Sequence, residues 1–440
     1  MTNKIITRFA PSPTGALHIG AARTALFNFV FSQQKKGSMI LRIEDTDKER
    51  SKKHHEDDIL KSLEWLHIEY SNLYRQSERI DIYYSYITKL IKNNYAYTAE
   101  DGIIRFKNPS KKITFHDLVR GDIEVDTTDL GDFVIARNEK DPLFHLAVVI
   151  DDHEMGVTHL IRGEDHISNT PRQILIQEAI GATRPLYAHI PLILAPNRSK
   201  LSKRHGATPI SDYRKEGYLS EAIVNFIALL GWSPQQKDAH GPEIFSLQEL
   251  INIFSLDGVQ KGGAIFDIDK LRWVNHEHIK RLTDDRFTKQ IEPFLPSEIK
   301  TMNNHSRQVF LSVLKEKINV FGDVTILHSS GELSYFFKQP KYKKEGLLPK
   351  SETNLNLIAP HIDKSIELLS SLTEDKFIAN LIKEKMWLYA TEKGRGLVLW
   401  PFRYALSGKE KSSDPFVIAE ILGKKETLNR LTHARNLIKK

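Results

Sequence analysis

The chain of 440 residues contains no cysteine. This absence excludes disulfide bonds, zinc sites built from thiolates, iron–sulfur clusters and catalysis by a thiol nucleophile. A disulfide-held extracellular scaffold is not indicated.

Long hydrophobic runs are missing as well. No stretch approaches the roughly 18 apolar residues that a membrane span needs. The turn Pro11-Ser12-Pro13 also comes too early for the apolar region of a signal peptide. The sequence therefore predicts a cytoplasmic protein that has no membrane partner.

The excess of one charge sign is modest. Lys and Arg number 63 against 56 Asp and Glu, which leaves a net charge of +7. Residues 403–440 hold nine Lys or Arg and four Asp or Glu, so most of the excess lies there. A basic surplus permits a polyanionic partner. We therefore expect the C-terminal segment to be the electrostatic end of the protein.

Short apolar runs alternate with an amphipathic helix at the start of the chain. Residues 4–9 predict a strand, residues 21–34 a helix, and residues 38–44 a second strand. The predicted buried face of the helix consists of Ala22, Leu26, Phe29 and Val30. Strand, glycine loop, helix and strand form a βαβ unit, which indicates a parallel sheet.

The same alternation returns after residue 132. The apolar run 144–152 predicts a buried strand, and residues 158–165 and 189–196 predict two more. Thr170, followed by a proline, has the pattern of a helix start, and Gly181 is expected to end that helix.

These patterns divide the chain into four parts. An α/β domain with a parallel sheet is predicted over 1–94 and 133–215, and it is interrupted by short β-like pieces over 95–132. Residues 216–306 are mostly helical with a short closing section, and residues 307–440 show helical periodicity alone.

Two loops carry residues suited to phosphate chemistry. The loop that contains His18 and Gly20 lies between a strand and a helix N-terminus, where backbone N–H groups and the helix dipole favour anions. The loop Lys200–Arg204 places three cations after a later strand of the same predicted domain, which suits a clamp on triphosphate charge. Each loop alone is also typical of an ordinary turn, and their pairing in one domain favours the functional interpretation.

The two loops resemble sequence motifs of a known family. HIGA in the first loop and KLSKR in the second resemble the two signatures of class I aminoacyl-tRNA synthetases. Four further segments resemble the glutamyl-tRNA synthetase branch specifically: RFAPSPTG, ARTALFNF, LRIEDTD and VVIDDHEMGVTHLIRGEDHISNTP. The resemblance is close over residues 5–280 and looser near the C-terminus. It implies a Rossmann-like catalytic domain, an inserted acceptor-binding region at 95–132, a stem-contact region at 216–306 and an all-α anticodon-binding domain at 307–440.

The resemblance also implies roles for particular residues. Glutamate carries two carboxylates and one ammonium, so its pocket needs cations and an acid. The implied glutamate site consists of Arg8, Ala10, Ser12, Glu44, Phe144 and Arg162. The implied ATP site consists of His18, Gly20, Asp165, Ile193, Lys200, Ser202 and Lys203, of which His18, Lys200 and Lys203 are the catalytic residues. Magnesium is expected to accompany ATP.

The sequence departs from the family pattern at several places. The fourth position of the first signature is Ala21 rather than histidine, and Phe144 stands where a tyrosine is expected. Many relatives carry a Cys/His zinc knob in the inserted region, whereas this chain has no cysteine, so no zinc or other protein-bound metal is expected. The pair His54-His55 is interpreted as helix surface.

The predicted activity is the joining of L-glutamate to tRNA in two steps, through glutamyl-adenylate, by a monomeric enzyme. Whether the partner is the glutamate tRNA, the glutamine tRNA or both stays open. Three alternatives also remain: a truncated paralogue that modifies a tRNA base, a glutaminyl enzyme that ends in β-barrels, and a silent tRNA-binding paralogue.

Overall fold

The computed structural model describes residues 4–199, 201, 208–234, 243–350 and 352–439. The chain divides into two compact units, Met1–His278 (unit 1) and Ile279–Lys440 (unit 2). Within the described ranges, no helix is both long enough and apolar enough to cross a membrane.

Unit 1 combines strands and helices. Its strands are β1 Ile6–Phe9, β2 Ser38–Ile43, β3 Leu73–Arg75, β4 Ala96–Thr98, β5 Ile104–Phe106, β6 Lys112–Asp117, β7 Gly121–Asp126, β8 Phe133–Asn138, β9 Asp141–Pro142, β10 His159–Gly163, β11 Leu186–Ile190, β12 Ile193–Leu194 and β13 Ala264–Ile265. Its helices are α1 Ile19–Gln34, α2 Lys53–Trp65, α3 Ile80–Lys92, α4 Phe144–Glu154, α5 Thr170–Ile180, α6 Ile210–Glu216, α7 Ser220–Leu229, α8 Leu247–Ile253 and α9 Ile268–Lys280, which crosses the unit boundary.

The strands that position the site are parallel. β1 pairs with β2 and β2 with β3, while β10 pairs with β11, all in parallel register. The two sets meet where the N–H of Thr158 donates to the carbonyl of Ile6 over 2.9 Å. The predicted parallel α/β fold is confirmed, and parallel strands place their carboxyl ends, where ligands bind, at one edge.

Helix α1 occupies the position that the apolar pattern predicts. Its predicted face of Ala22, Leu26, Phe29 and Val30 is buried. The side chain of Asn28 crosses to the sheet and donates to the carbonyl of Ile161 over 2.9 Å. The first βαβ unit is therefore held by apolar packing and by a buried amide that has found its acceptor.

The predicted strand at 144–152 is wrong, because this segment forms helix α4. Its residues Leu146, Ala147, Val148, Val149 and Ile150 are all nearly inaccessible to solvent. A helix that is buried on every side carries an unbroken apolar run, and such a run cannot be told from a buried strand by periodicity. The correction matters because α4 carries Phe144 at its start and two aspartates near its end.

The predicted strand at 189–196 is divided in two. β11 ends at Ile190 and pairs with β10, whereas β12 begins at Ile193 and pairs with β13. Pro191 lies between them and lacks the N–H that a continuous ladder requires. Helix α5 begins at Thr170 and ends at Gly181 in the left-handed conformation, as predicted.

A second sheet is antiparallel and follows the order β4-β5-β8-β9. It extends from Ala96 to Pro142, so its strands continue past the predicted insertion at 95–132. Hairpin β6–β7 lies between its strands in the chain but joins the parallel sheet, through a bridge between Asp117 and Tyr187.

Unit 2 is helical throughout its described residues. Its helices are α10 Asp284–Ile291, α11 Asn304–Lys317, α12 Asp323–Ser329, α13 Leu355–Ser370, α14 Ala379–Lys393, α15 Arg395–Ser407 and α16 Pro415–Lys439. α16 breaks at Gly423, where φ is 77°, in agreement with the predicted end of one helix and start of the next.

The basic C-terminal segment is less available to a partner than its composition suggests. Arg430 is only 2% exposed and donates to the carbonyls of Tyr335 and Leu406 over 2.7 and 2.6 Å. Arg403 and Lys424 likewise donate to backbone carbonyls. These cations donate to backbone carbonyls of unit 2, so the expectation of an electrostatic end applies to the exposed lysines of the segment.

Candidate active site

A cleft of about 620 Å³ opens at the carboxyl ends of β1, β2 and β10 and beside the start of α1. The described residues from both predicted subsites line it. They are Arg8, Ala10, Ser12, His18, Gly20, Glu44, Phe144, Arg162, Asp165 and Ile193. The fold therefore brings together residues that are up to 185 positions apart in the chain.

Three predicted residues, Lys200, Ser202 and Lys203, lie outside the described residues. Leu201, which stands among them in the sequence, lines the cleft, and its N–H donates to the carbonyl of Ile193 over 3.3 Å. Ile193 belongs to β12, which β13 supports through the pair Ile193 and Ala264.

Buried charges form the floor beside the cleft. Asp152 accepts from Nε of Arg8 at 3.3 Å and from Nη1 of Arg42 at 2.7 Å, both on Oδ1. Burial alone would raise the pKa of Asp152, but the guanidinium groups of Arg42 and Arg8 outweigh it and lower that pKa. Asp152 is therefore ionised and holds Arg8 at the cleft wall.

Asp151 forms the deeper half of the same network. Its carboxylate is fully buried and accepts from Nε of Arg79 at 2.7 Å, from Nε2 of Gln76 at 2.9 Å and from the hydroxyl of Tyr83 at 2.8 Å. None of these three partners lines the cleft. Asp151 thus fastens α3 and the segment before it to the end of α4.

Glu44 follows β2 and lies at the cleft with 7% exposure. Its Oε1 accepts from Nη2 of Arg42 at 3.1 Å. Burial raises the pKa of Glu44, while the charges of Arg42 and Arg8 oppose that rise. An incoming ammonium group would offset the energetic cost of burying this carboxylate in its charged form, which suits Glu44 as an acceptor.

Arg162 differs from Arg8 and Arg42 because none of its hydrogen-bond partners among the described residues is a carboxylate. Its Nε donates to Nε2 of His189 at 3.1 Å, Nη1 donates to Oε1 of Gln173 at 2.8 Å, and Nη2 donates to Oγ1 of Thr170 at 2.8 Å. Burial, with the charge of Arg8, lowers the pKa of Arg162 to about 10. The guanidinium is still charged at neutral pH, and its five N–H groups exceed the three bonds named here.

His18 closes the first turn of α1 in a way that the sequence did not indicate. Its Nδ1 accepts from the N–H groups of Gly20 at 3.1 Å and Ala21 at 3.2 Å. These two amides already have an acceptor, and the predicted phosphate site at the helix N-terminus stays a prediction. With Nδ1 as acceptor, the neutral imidazole carries its proton on Nε2, so the ring itself supplies a donor.

Two glycines keep this side of the cleft open. A Cβ at Gly20 would lie 3.2 Å from two atoms of the His18 ring. A Cβ at Gly163 would lie 2.4 Å from Oδ1 of Asp165. Each glycine therefore makes room for the polar side chain that lies two residues away in the sequence.

Phe144 begins α4 and lines the cleft. Its ring centroid lies 5.9 Å from that of His166. Burial and the charge of Arg162 lower the pKa of His166 to about 4, so this imidazole is neutral near pH 7. A phenyl ring in this place offers no hydroxyl, and nearby polar contacts must come from other side chains.

The pair His54-His55 belongs to no metal-binding cluster among the described residues. Within the described ranges, no group of three or more His, Cys, Asp or Glu side chains is placed to hold an ion. His54 and His55 lie in the first turns of α2, and their ring centroids are 4.1 Å apart.

Sequence reasoning missed the residues that support the cleft from behind. They are Arg42, Asp117, Asp151, Asp152, Thr170, Gln173 and His189. One signal was available for two of them, because adjacent aspartates at the end of an apolar run require buried cations if that run is buried. No comparable pattern marks Asp117 and His189.

The comparisons with known proteins agree with this geometry. The family described as "tRNA synthetases class I (E and Q), catalytic domain" matches residues 4–102 and 98–273, and the family described as "Anticodon binding domain" matches residues 286–435. With its parallel sheet and the cleft at the carboxyl edge, unit 1 is the catalytic part of a class I aminoacyl-tRNA synthetase.

Individual relatives specify the branch. The glutamate–tRNA ligase of Sulfurihydrogenibium sp. is 37% identical over 470 residues, covering 94% of this chain and 96% of the relative. The glutamate–tRNA ligase of Aquifex aeolicus is 45% identical over 337 residues, which are 67% of this chain and 71% of the relative. The crystal structure of a glutamate–tRNA ligase from Elizabethkingia meningosepticum, in complex with its amino acid, is 32% identical, has a TM-score of 0.86 and covers 99% of both chains. The chain belongs to the glutamate–tRNA ligase family.

Membership confirms the predicted family, fold class and enzyme class. The enzyme activates glutamate and charges tRNA with it, and its partners are glutamate, tRNA and ATP. The helical unit 2 and the matching anticodon-binding family contradict the truncated paralogue and the glutaminyl enzyme with terminal β-barrels.

Proposed function

We propose that the cleft of unit 1 is where L-glutamate reacts with ATP, and that Arg8 and Arg162 bind the two substrate carboxylates. Glu44 accepts the ammonium group. Ala10, Ser12 and Phe144 complete the glutamate subsite, and they line the same cleft. The proposal assigns each charged group of glutamate to a side chain of opposite charge.

The observation that carries the proposal is an excess of buried positive charge at this wall. Beside the glutamate subsite, three buried arginines, Arg8, Arg42 and Arg162, face two buried carboxylates, Glu44 and Asp152. The ion pair of Arg79 with Asp151 lies outside the cleft lining and adds no net charge. An uncompensated buried charge is costly unless a ligand neutralises it. L-Glutamate, with two carboxylates and one ammonium, carries the single negative charge that balances the excess.

The ATP subsite is proposed on the opposite side of the cleft. His18 donates to phosphate oxygens from Nε2, Gly20 admits the nucleotide close to the backbone, Asp165 binds the ribose, and the backbone at Ile193 meets the adenine. Lys200, Ser202 and Lys203 complete the subsite. The described residues contain no cage for Mg²⁺, so the proposal leaves that ion on the triphosphate.

The proposed reaction needs positioning and charge stabilisation more than proton transfer. The α-carboxylate of glutamate attacks the α-phosphorus of ATP, and the bond to the pyrophosphate oxygen breaks, which gives glutamyl-adenylate and pyrophosphate. The 2′-hydroxyl of the terminal tRNA adenosine then attacks the adenylate carbonyl, and AMP leaves. The cations along the cleft stabilise the charge that develops on the phosphates.

Glutamate-dependent exchange between ATP and pyrophosphate tests the proposal. We expect exchange in the presence of tRNA and little exchange in its absence. Full exchange without tRNA would contradict the tRNA-dependent first step that the family resemblance implies. No exchange under either condition would indicate the silent tRNA-binding paralogue.

The proposed role of Lys203 predicts a selective defect. Lys203→Ala should cost about 2–4 kcal/mol of transition-state stabilisation in adenylate formation, because the ammonium acts on developing phosphate charge. The affinity for tRNA should stay nearly unchanged, and a filter-binding titration measures it. An equal loss of tRNA affinity would show that this loop is a nucleic-acid contact instead.

We also propose that the tRNA approaches the exposed lysines of unit 2. Lys411, Lys425 and Lys439 are exposed in the basic C-terminal segment, unlike the buried Arg430. Replacing the three with glutamine should reduce the slope of log affinity against log salt by about 0.7–0.9 for each phosphate that a lysine no longer neutralises. Lys376, Lys383 and Lys385, which are exposed in unit 2 outside residues 403–440, serve as a matched triple substitution, and an equal effect there would contradict a localised contact.

The finer identity of the partner is also a proposal. We propose a monomeric, cytoplasmic enzyme that charges the glutamate tRNA, with the glutamine tRNA as the second candidate. Charging assays with the two purified tRNAs decide between them, and sedimentation analysis decides the oligomeric state.

A further inference from the structure

His189 lies directly beside Arg162 in the parallel sheet. The two residues are register partners on β11 and β10. His189 is inaccessible to solvent, and its Nδ1 lies 2.6 Å from Oδ2 of Asp117, which is 1% exposed. Its Nε2 lies 3.1 Å from Nε of Arg162. A continuous buried chain therefore runs from a carboxylate through an imidazole to a guanidinium at the cleft.

The hydrogen bonds from Asp117 through His189 to Arg162 fix the position of one proton. Arg162 can only donate, so Nε2 of His189 must accept and carry no hydrogen. The proton of the neutral imidazole is then on Nδ1, where the carboxylate of Asp117 accepts it. A carboxylate at this place therefore selects the tautomer that turns an acceptor toward Arg162.

Asp117 is itself held firmly. Its Oδ1 accepts from the N–H groups of Val119 at 3.0 Å and Arg120 at 2.8 Å in the turn between β6 and β7. Its Oδ2 also accepts from the backbone N–H of His189 at 3.1 Å. The carboxylate cannot rotate without breaking this turn, so it provides a rigid anchor for the imidazole.

We propose that Asp117 and His189 are positioning residues that orient the guanidinium of Arg162 for glutamate. This inference rests on the proposed function, in which Arg162 binds a substrate carboxylate. A guanidinium binds a carboxylate well only when two N–H groups are parallel to its two oxygens, so a rotation of the plane weakens binding. His189, together with Thr170 and Gln173, sets that plane.

These hydrogen bonds make glutamate binding sensitive to acid. Protonated His189 turns an N–H toward Nε of Arg162, so that a donor faces a donor. The charged or titratable groups around the His189 ring are Asp117, Arg162, Arg120, His166 and Tyr187. The rings of Tyr187 and His189 are stacked, with centroids 6.2 Å apart and an angle of 8° between their planes. Burial and Arg162 lower the pKa of His189 despite Asp117. The KM for glutamate should therefore be flat near neutral pH and rise only below about 6.5, the ordinary histidine value.

Two substitutions of similar shape test separately the hydrogen bond of His189 with Asp117 and its hydrogen bond with Arg162. His189→Gln places an amide near the position of Nε2, where it can still accept from Arg162. His189→Asn places an amide near Nδ1, where it can bond Asp117 but cannot reach Arg162. We expect His189→Asn to raise the KM for glutamate about 10–100-fold, in the range found for residues that orient a ligating group, and His189→Gln to raise it much less.

Asp117→Asn tests the tautomer directly. An asparagine amide can donate to Nδ1, and this moves the imidazole proton to Nε2, opposite Arg162. The expected result is a higher KM for glutamate and weaker rejection of glutamine, with an unchanged KM for ATP. All assays measure pyrophosphate exchange by the full chain with tRNA present, and circular dichroism checks that each variant is folded.

The outcomes distinguish this inference from the proposed function. If Arg162→Ala activates glutamate normally, the proposed role of Arg162 fails. If Arg162→Ala is defective while His189→Asn and Asp117→Asn keep a normal KM for glutamate, the positioning role is wrong. If those variants do not fold, the ¹⁵N NMR signals of the His189 ring in the unmodified enzyme decide, and a neutral ring that carries its proton on Nε2 overturns the inference.

Discussion

Arg162→Ala is expected to lower kcat/KM for glutamate in pyrophosphate exchange by about 2–5 kcal/mol of transition-state stabilisation, or roughly 30-fold to several thousand-fold. The guanidinium is buried, and its hydrogen-bond partners among the described residues are neutral, so its charge remains available to a substrate carboxylate. Removing it would leave that carboxylate desolvated and without a cation.

Arg162→Lys should not restore activity, because an ammonium lacks the planar fork that meets both carboxylate oxygens. The same geometry separates glutamate from glutamine, whose amide N–H₂ would face the guanidinium donors. Arg184→Ala is the matched control, since Arg184 is partly exposed and pairs with Glu178 away from the cleft. Near-normal activation of glutamate by Arg162→Ala, with glutamine still rejected, would place the discriminating group elsewhere.

Asp151→Ala is expected to destabilise unit 1 by about 3–5 kcal/mol, the cost of removing one partner from a buried ion pair. The change leaves Arg79, Gln76 and Tyr83 without their shared acceptor and removes one of the carboxylates beside Arg42. Since the first three partners lie outside the cleft, the KM for glutamate should change far less than the stability.

Hydrogen–deuterium exchange in urea measures this effect for each unit separately. Peptides from unit 1 should lose protection at lower urea, while peptides from unit 2 should be unaffected. Asp212→Ala is the control, because Asp212 forms an exposed pair with Lys215, and such pairs contribute about 0–1 kcal/mol. Equal destabilisation by the two substitutions would show that the buried network contributes no more than a surface pair.

Local patterns in the sequence were sufficient for much of the fold. The βαβ start depends on an amphipathic helix between two short apolar runs, and both signals are local. The ends of α5 depend on a proline near its first turn and on Gly181, which adopts the left-handed conformation. Such signals act within one or two turns of chain, so they can be read without the tertiary structure.

Helix α4 shows where local patterns fail. Its apolar run has no helical period because neighbours cover every face, and only those neighbours decide between helix and strand. Pro191 similarly separates β11 from β12, but which strands they pair with depends on β10 and β13. The amino acids of these segments are compatible with more than one structure when they are considered alone.

The candidate site divides in the same way. The resemblance of the sequence motifs to a known family pointed to ten of the residues that line the cleft, and most of them lie where a strand or helix meets a loop. Tertiary structure alone decided what those groups bind and how they are held. In the folded protein, Nδ1 of His18 caps α1, and Asp152 pairs with Arg8. Asp117 and His189 lie behind Arg162. Hydrogen bonds between residues distant in the chain, such as Arg8 and Asp152, leave no period or spacing in the sequence, so only the packed sheet and its helices could specify them.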